Sequence, residues 1–319
     1  MTVAVVTNPR SRHNRNNPQL QPALAYVLGE RGELVSPSDL GALAQTVRRF
    51  RDRGTEVLCV NGGDGTLHQV ITAAARVWGD APMPALALLR GGTMNIVADS
   101  VGVRVDAETM LGRVVEAIHT GDPLPTVTRR LLRVEVDDQP PFFGFLSGNG
   151  IIARFLELYY ERPDPTPLSA GWLLARGAMS ALVGGPLIRR LTRPYSGRVE
   201  VDGVDLGGDR WVAVALGSIE QMGLGFQVFP RAAEDPDRFQ FVAMGGSVSD
   251  VARELPSLYR GRGVRRPENR SNLAAQLVFR SDEPIQLMID GDFYVAARGR
   301  VRYTVGPSVR FLLPTRAAA

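Results

Sequence analysis

The sequence contains no lysine, and all 37 of its basic residues are arginine. A nucleotide site of the Walker P-loop type needs a lysine beside the phosphates, and Schiff-base chemistry needs a lysine amine. Both of these large enzyme classes are therefore excluded.

Cysteine is nearly absent as well. The single cysteine, Cys59, falls inside an apolar strand pattern and has no partner, which excludes a disulfide framework and a cysteine zinc site. The three histidines are scattered along the chain without the spacing of metal ligands. We therefore expect a reducing, cytoplasmic environment.

Long apolar runs are also missing. The most apolar later stretch, residues 177–188, lies between Arg176 and Arg189 and is far shorter than the roughly 20 residues of a membrane-spanning helix. The apolar run at the start lacks a preceding basic region and ends at Asn8-Pro9, so it predicts a first strand and not a signal peptide. We expect no transmembrane segment.

The most informative stretch that is present covers residues 57–67. Four apolar residues predict a buried parallel strand, the sequence Asn61-Gly62-Gly63-Asp64-Gly65-Thr66 interrupts it, and helical spacing resumes at Leu67. Glycines allow close backbone approach, and the first amides of a helix favour an anion, so the turn suits a phosphate. Asp64 is then a metal ligand or catalytic acid; alternatively, it is an ordinary turn residue and Thr66 is the helix N-cap.

A chain of 319 residues with 44% hydrophobic content predicts two domains. Strand and helix patterns alternate up to about residue 121, which favours a parallel sheet flanked by helices. Short strands separated by Gly, Pro and Asp clusters dominate afterwards, with some helical patterns inserted, and favour a mostly antiparallel β-rich domain. We predict an α/β domain over residues 1–125 and a β-rich domain over residues 126–319.

Three turns of the first domain each follow a predicted strand: residues 8–11, 61–66 and 92–95. Since parallel strands end at the same edge of a sheet, these turns together predict a nucleotide site. Thr93 and Asn95 can bind phosphate or base, whereas the alternative for Thr93 is a helix cap.

Two features of the second domain have both structural and functional interpretations. Asp290-Gly291-Asp292 is a hairpin-type turn that is, by itself, more typical of structure than of catalysis. Arginines crowd residues 189–198 and 260–270, where the alternatives are a solvated surface and an anionic phosphate or membrane surface. Nucleic acid is not expected, because no aromatic residue interleaves the second run.

Taken in order, these pieces resemble the diacylglycerol kinase catalytic-domain family, which includes sphingosine kinases and soluble bacterial lipid kinases. The resemblance extends over nearly the whole chain and rests on Asn8-Pro9 with Ser11, the Gly62–Leu67 turn, Gly92-Thr93 with Asn95 and Ala98, Gly148 and Gly150, Gly223 and Gly225 before Pro230, and Asp290-Gly291-Asp292. The first turn alone is shared with NAD kinases and phosphofructokinases; the ordered set is more specific.

The resemblance implies ATP bound between the domains and an apolar lipid pocket in the second. It implies nucleotide contacts at Asn8, Pro9, Ser11, Ser36, Asn61, Gly62, Gly63, Asp64, Gly65, Thr66, Gly92, Thr93 and Asn95. Asp64 would act with Mg²⁺ and the phosphates. Asp292 stands where the family has its glutamate general base, and a carboxylate one methylene shorter is a departure that puts full activity in question.

A second departure concerns an ancillary metal site. Pro236 stands where the family has an aspartate, and its neighbours Asp235 and Asp237 are the candidate substitutes as metal ligands.

The predicted function is ATP- and Mg²⁺-dependent transfer of the γ-phosphate to a hydroxyl of a lipid such as diacylglycerol, presented at a membrane surface. The alternatives are an NAD kinase-like phosphotransferase and a catalytically weak lipid- or nucleotide-binding pseudokinase. The apolar segment from Ala170 to Ile188 is a candidate acyl-chain wall or membrane-facing lip, or else ordinary core; its residues are Trp172, Leu173, Leu174, Met179, Leu182 and Val183. A homodimer is left open, and peripheral membrane contact accompanies the cytoplasmic location.

Overall fold

The computed structural model describes residues 2–161, 171–173, 176, 180 and 185–314. The chain forms two compact units. The first comprises the chain up to Arg130 together with the stretch from Pro307, and the second comprises Leu131–Gly306. The predicted domains, 1–125 and 126–319, do not include the return of the chain's last strand to the first unit.

The first unit is built on a parallel sheet. Its strands are β1 (Val3–Thr7), β2 (Gly32–Val35), β3 (Val57–Asn61) and β4 (Ala85–Leu88), in the order β2-β1-β3-β4. Every residue of β1, β3 and β4 is buried, which explains their unbroken apolar runs. The end of the last strand of the chain lies parallel to β4, with Phe311 opposite Leu86.

Helices connect these strands. They are α1 (Arg12–Asn16), α2 (Leu20–Leu28), α3 (Leu40–Asp52), α4 (Asp64–Trp78), α5 (Ile96–Ser100) and α6 (Ala107–Thr120), with a single 3-10 turn at Gly29–Arg31. The step from β1 to β2 and the step from β2 to β3 run in opposite directions, so right-handed crossovers carry α2 and α3 to opposite faces of the sheet. Accordingly, α2 packs on α6, and α3 packs on α4.

The second unit is dominated by antiparallel strands. They are β5 (Thr126–Val136), β6 (Phe142–Gly144), β7 (Leu146–Asn149), β8 (Tyr195–Ser196), β9 (Arg198–Val201), β10 (Val204–Asp205), β11 (Arg210–Trp211), β12 (Ala213–Gly217), β13 (Phe239–Met244), β14 (Asn269–Ala274), β15 (Gln276–Arg280), β16 (Ile285–Ile289), β17 (Asp292–Ala296) and β18 (Arg300–Leu312). The two long strands β5 and β18 carry the chain from one unit to the other. The predicted fold class, a parallel α/β domain followed by a β-rich domain, is confirmed.

One sheet of the second unit has the order β14-β13-β12-β7-β16-β17, and β10, β9, β15 and β18 pair in that order within another. Its helices are α7 (Ile151–Tyr160), α8 (Pro186–Leu191) and α9 (Val248–Tyr259). In the described part of the chain, no helix combines the length and apolar character needed to cross a membrane.

The second unit has a main core and a smaller apolar cluster apart from it. The main core gathers buried residues of both sheets, among them Leu216, Phe239, Phe279 and Tyr303. The smaller one, here called the satellite cluster, contains Tyr159 and Leu173 with the partly buried Phe155, Leu156, Leu158 and Leu224.

The satellite cluster holds one residue of the predicted acyl-chain wall. Leu173 belongs to it, whereas Trp172 is exposed with Arg176 stacked over its ring. The other proposed wall residues, Ala170, Leu174, Met179, Leu182 and Val183, lie outside the described residues.

Cys59 gives a direct test of the first unit. It is fully buried in the middle of β3, and burial raises the pKa of its thiol to about 12. At pH 8 the native thiol should therefore stay protonated and inaccessible, and a disulfide reagent should modify less than one equivalent on the timescale in which the guanidinium-unfolded chain is fully modified. Fast labelling of the native protein would contradict the buried strand.

Candidate active site

Asn61, the last residue of β3, ties the strand ends of the first unit together. Its side chain is buried, and its Oδ1 accepts hydrogen bonds from Thr7 Oγ1 at 2.8 Å and Asn14 Nδ2 at 2.6 Å. Its Nδ2 donates to the carbonyl of Leu89 at 2.7 Å. The ends of β1, β3 and β4 are therefore fixed by one amide group.

Asn8 organises the first predicted turn. Its Nδ2 donates to Thr66 Oγ1 at 2.9 Å, and its carbonyl accepts from Ser11 Oγ at 2.9 Å and from Asn14 Nδ2 at 2.8 Å. The structure thus brings Asn8, Ser11 and Thr66 together. Thr66 is not the helix N-cap, because α4 begins at Asp64 and Gly63 occupies the cap position.

Asn14 is a residue of the candidate site that sequence reasoning missed. It is 8% exposed, and its Oδ1 has no hydrogen-bond partner among the described residues. A Cβ on Gly91 would lie 2.9 Å from this oxygen, so the open acceptor faces the glycine turns. An asparagine in a polar loop has no pattern that separates it from its neighbours, so only the fold reveals its position.

The two glycine turns lie backbone to backbone. Gly91 N donates to Gly62 O at 2.9 Å, and a Cβ on Gly92 would lie only 2.2 Å from the Cα of Gly63. Any side chain at Gly92 would separate the turns. The predicted turns at residues 61–66 and 92–95 therefore occupy the same edge of the sheet.

Asp64 has a structural contact that the sequence did not predict. Its carboxylate accepts hydrogen bonds from the amides of Ile96 at 3.1 Å and Val97 at 3.2 Å, and so caps α5. Burial disfavours its charged form and raises its pKa above the ordinary value, although the amide bonds oppose this, and the charge of Asp99 adds to the rise.

The cap position of α5 belongs to Asn95 and not to Thr93. Asn95 has a left-handed backbone with φ 49°, and its side-chain amide bonds both the N–H and the carbonyl of Gly92, at 3.2 Å and 3.1 Å. Arg90 binds the carboxylate of Asp99 and donates to the carbonyl of Val103 at 2.7 Å, which holds α5 from the other side. Thr93 is thus left without a capping role.

The remaining residues of the predicted nucleotide site lie just after the ends of the same strands. Ser36 is exposed directly after β2, and Pro9 is exposed after β1. Because Val6 lies opposite Val35, these two strands end level with each other. Gly65 lies in the first turn of α4.

The donor set of the first unit fits Mg²⁺ held mainly by phosphates. Mg²⁺ usually keeps several waters and takes one or two protein carboxylates together with substrate phosphates. Asp64 offers one half-buried carboxylate with lone pairs beyond its two amide bonds, next to the glycine turns. No group of three or more His, Cys, Asp or Glu side chains suited to a metal exists among the described residues.

The ancillary metal residues lie in the second unit, in the turn before β13. Asp235 accepts a hydrogen bond from the amide of Asp237 at 2.9 Å and lies 3.5 Å from Arg238 Nε. This carboxylate already compensates a local cation. The ancillary site stays a prediction.

The two carboxylates of the Asp290-Gly291-Asp292 turn have different surroundings. Asp290 and Gly291 have φ of 45° and 97°, which is the backbone of a two-residue type I′ hairpin. Asp290 is 5% exposed and accepts hydrogen bonds from the amides of Phe145, at 2.9 and 3.1 Å, and Leu146, at 2.8 Å. It joins the β16–β17 hairpin to the chain between β6 and β7.

Asp292 starts β17, opposite Ile289, and is only half-buried. Aromatic residues border it. Phe293 contacts the ring of Tyr160 edge to face with centroids 6.2 Å apart, and both rings are exposed, at 37% and 49%. Tyr160 follows Tyr159 of the satellite cluster, so the turn lies beside an apolar surface.

Comparisons with known proteins agree with this architecture. The model of the diacylglycerol kinase catalytic domain matches residues 2–124, and the model of the YegS C-terminal NAD kinase beta sandwich-like domain matches residues 187–311. The first unit thus carries a diacylglycerol kinase catalytic domain, and the family resemblance predicted from the sequence is confirmed.

Individual relatives match this chain over 60% to 97% of its length. A probable lipid kinase YegS-like protein of Stenotrophomonas maltophilia (strain K279a) is 25% identical over 323 residues, which is 97% of each chain. Lipid kinase YegS of Escherichia coli (strain K12) is 28% identical over 192 residues, covering 60% of this chain and 57% of that one. A putative diacylglycerol kinase structure from Bacillus anthracis str. Sterne has a TM-score of 0.68 at 13% identity, covers 98% of this chain and 96% of that one, and supports the fold alone.

The glycine contact can be tested with a matched pair of variants. Gly92→Ala should lower the free energy of unfolding by about 1–3 kcal/mol, because the new methyl group overlaps Gly63. Gly112→Ala, in α6 with no atom within 4 Å of the new methyl, should raise it by about 0.5–1 kcal/mol. Urea unfolding measures both, and equal effects would contradict the contact between the turns.

Substitutions of the two hairpin carboxylates should differ in their effect on the free energy of unfolding. Asp290→Asn replaces one acceptor oxygen by a donor facing backbone amides and should cost about 1–3 kcal/mol in the free energy of unfolding. Asp292→Asn, at a half-buried strand start, should change it by less than about 0.5 kcal/mol. Thermal and urea unfolding of the pair measure the difference, and the reverse order would contradict this division of roles.

Proposed function

We propose that this protein transfers the γ-phosphate of ATP to a hydroxyl group of a lipid such as diacylglycerol. Family membership supports a kinase, and the surroundings of Asp292 carry the choice of a lipid as acceptor. An exposed aromatic pair and an apolar cluster beside a half-buried carboxylate suit a hydroxyl that is attached to acyl chains.

The first unit supplies the phosphate side of the proposal. Backbone amides of the first turn of α4, which follows the glycine turn after β3, offer donors to phosphate oxygens without any lysine. Asn8, Thr66 and Asn95 are held in place by hydrogen bonds to the glycine turns or to one another. Asp64 would hold Mg²⁺, which when bound offsets the phosphate charge.

The second unit supplies the acceptor side. Asp292 takes the proton of the lipid hydroxyl as its oxygen forms a bond to the γ-phosphorus, and the bond from that phosphorus to the β-γ bridging oxygen breaks to release ADP. Phosphoryl transfer asks for little covalent chemistry from the protein, so positioning and charge stabilisation supply most of the acceleration. Asp290 keeps the hairpin of Asp292 in register through its bonds to Phe145 and Leu146.

The decisive experiment supplies radiolabelled ATP and Mg²⁺ to the protein with a panel of hydroxylated lipids in mixed micelles, and with NAD in a parallel reaction. We expect labelled lipid and no labelled NADP. Label in NADP would favour an NAD kinase-like enzyme. Binding of ATP without transfer to any lipid would identify a pseudokinase and reject the proposal.

The role of Asp292 can be separated from nucleotide binding. Asp292→Asn should reduce transfer at least about a hundredfold, as expected for loss of a general base, while the affinity for ATP stays unchanged. Asp292→Glu keeps a carboxylate and should retain measurable transfer. Turnover of the Asn variant at the unaltered rate would show that another group takes the proton.

A further inference from the structure

A loop of the second unit connects the satellite cluster to the molecular surface. This loop, here called the glycine loop, runs from Gly223 to Phe226. It is closed by the amide of Phe226, which donates to the carbonyl of Gly223 at 3.0 Å, and the carbonyl of Phe226 accepts from the amide of Met222 at 3.0 Å. Leu224 has a left-handed backbone with φ 51° and packs against the satellite cluster. Phe226 contacts the ring of Tyr259 edge to face, with centroids 5.3 Å apart.

Tyr259 ends α9 and is 53% exposed. An exposed tyrosine that rests against another ring presents an apolar body and a polar tip, the character that suits a membrane–water interface. Tyr259 directly precedes the second arginine run of the sequence, residues 260–270. This run is here called the arginine loop.

The backbone of the arginine loop is fixed from beneath by a buried carboxylate. Glu254 is 1% exposed and accepts hydrogen bonds from the amides of Arg265 at 3.0 Å and Arg266 at 2.9 Å, and from Asn269 Nδ2 at 3.1 Å. Ser257 adds two more contacts, since its carbonyl accepts from the amide of Arg262 at 2.9 Å and its hydroxyl donates to the carbonyl of Gly263 at 2.7 Å. The loop is therefore held in one shape.

The charges of this loop are only partly compensated. Arg266 pairs with Asp250 at 2.8 Å. Arg260, Arg262 and Arg265 are exposed and form no ion pair within the described part of the chain. Three guanidinium groups that no described carboxylate neutralises thus lie on a preformed loop next to an exposed tyrosine.

We propose that Tyr259, Arg260, Arg262 and Arg265 form a docking surface for an anionic phospholipid bilayer. Guanidinium groups complement lipid phosphates, and a tyrosine at their edge fits the headgroup region. The inference rests on the proposed lipid-kinase function, because the glycine loop joins this surface to the satellite cluster beside Asp292. A docked bilayer would supply its lipid to the unit that carries the acceptor carboxylate.

The test compares two triple variants of the full-length protein. One replaces Arg260, Arg262 and Arg265 by Gln; the control replaces Arg48, Arg280 and Arg310 by Gln, which are also exposed and form no ion pair in the described structure. Both variants lose the same charge. Co-sedimentation with vesicles of phosphatidylcholine, with and without phosphatidylglycerol, measures binding at several salt concentrations.

We expect the unaltered protein and the control variant to bind only the phosphatidylglycerol vesicles. The arginine-loop variant should bind them roughly a hundredfold more weakly, from about fivefold for each arginine near an anionic surface. Tyr259→Ser should weaken binding by a smaller factor that does not depend on salt. Equal loss in both triple variants, or no binding by the unaltered protein, would overturn the proposal.

Two further measurements distinguish bilayer docking from nucleic-acid binding and from a loss of catalysis. Binding of short duplex DNA that depends on the three arginines, with vesicle binding unchanged, would assign the loop to nucleic acid instead. Transfer to lipid in detergent micelles should persist in the arginine-loop variant, whereas transfer on vesicles should fall. If the unaltered protein transfers no phosphate to lipid in micelles, the kinase proposal is rejected. The docking proposal is then still tested, because vesicle binding is measured without turnover.

Discussion

The strand-end edge of the first unit, where the candidate active site lies, depends on the buried amide of Asn61. Parallel strands end in loops whose polar groups need partners once the sheet is covered by helices. A single side chain here satisfies Thr7, Asn14 and the carbonyl of Leu89, and so aligns the loops after three neighbouring strands. The close approach of the two glycine turns follows from that alignment.

Asp64 has a structural contact and a proposed metal-binding role at the same edge of the sheet. Its bonds to the amides of Ile96 and Val97 connect the turn after β3 to the helix after β4. The two amide bonds hold this carboxylate in one orientation, and such preorganisation would serve the metal-binding role proposed for it. The pKa of Asp64 is raised because burial disfavours its negative charge, and a cation bound beside the carboxylate would lower that pKa.

Periodicity and turn chemistry predicted the architecture, because apolar runs and glycine clusters act locally. The fully buried strands β1, β3 and β4 and the edge on which the turns meet could be anticipated in this way. Asn14 and the cap made by Asp64 could not, since both depend on contacts between segments far apart in sequence. The family resemblance singled out Asp292 of the two hairpin carboxylates, whereas the scaffold role of Asp290 is visible only from its burial and its bonds to the amides of Phe145 and Leu146.

The long strand β18 has a consequence for how the protein is made. Its last residues lie beside β4, so the sheet of the first unit gains its fifth strand only after the whole second unit has been synthesised. Until then the edge of β4 presents unpaired backbone groups, which are prone to pair with other chains. A fragment that ends after the helices of the first unit would keep that exposed edge, so the first unit cannot complete its sheet until the end of the chain has been synthesised.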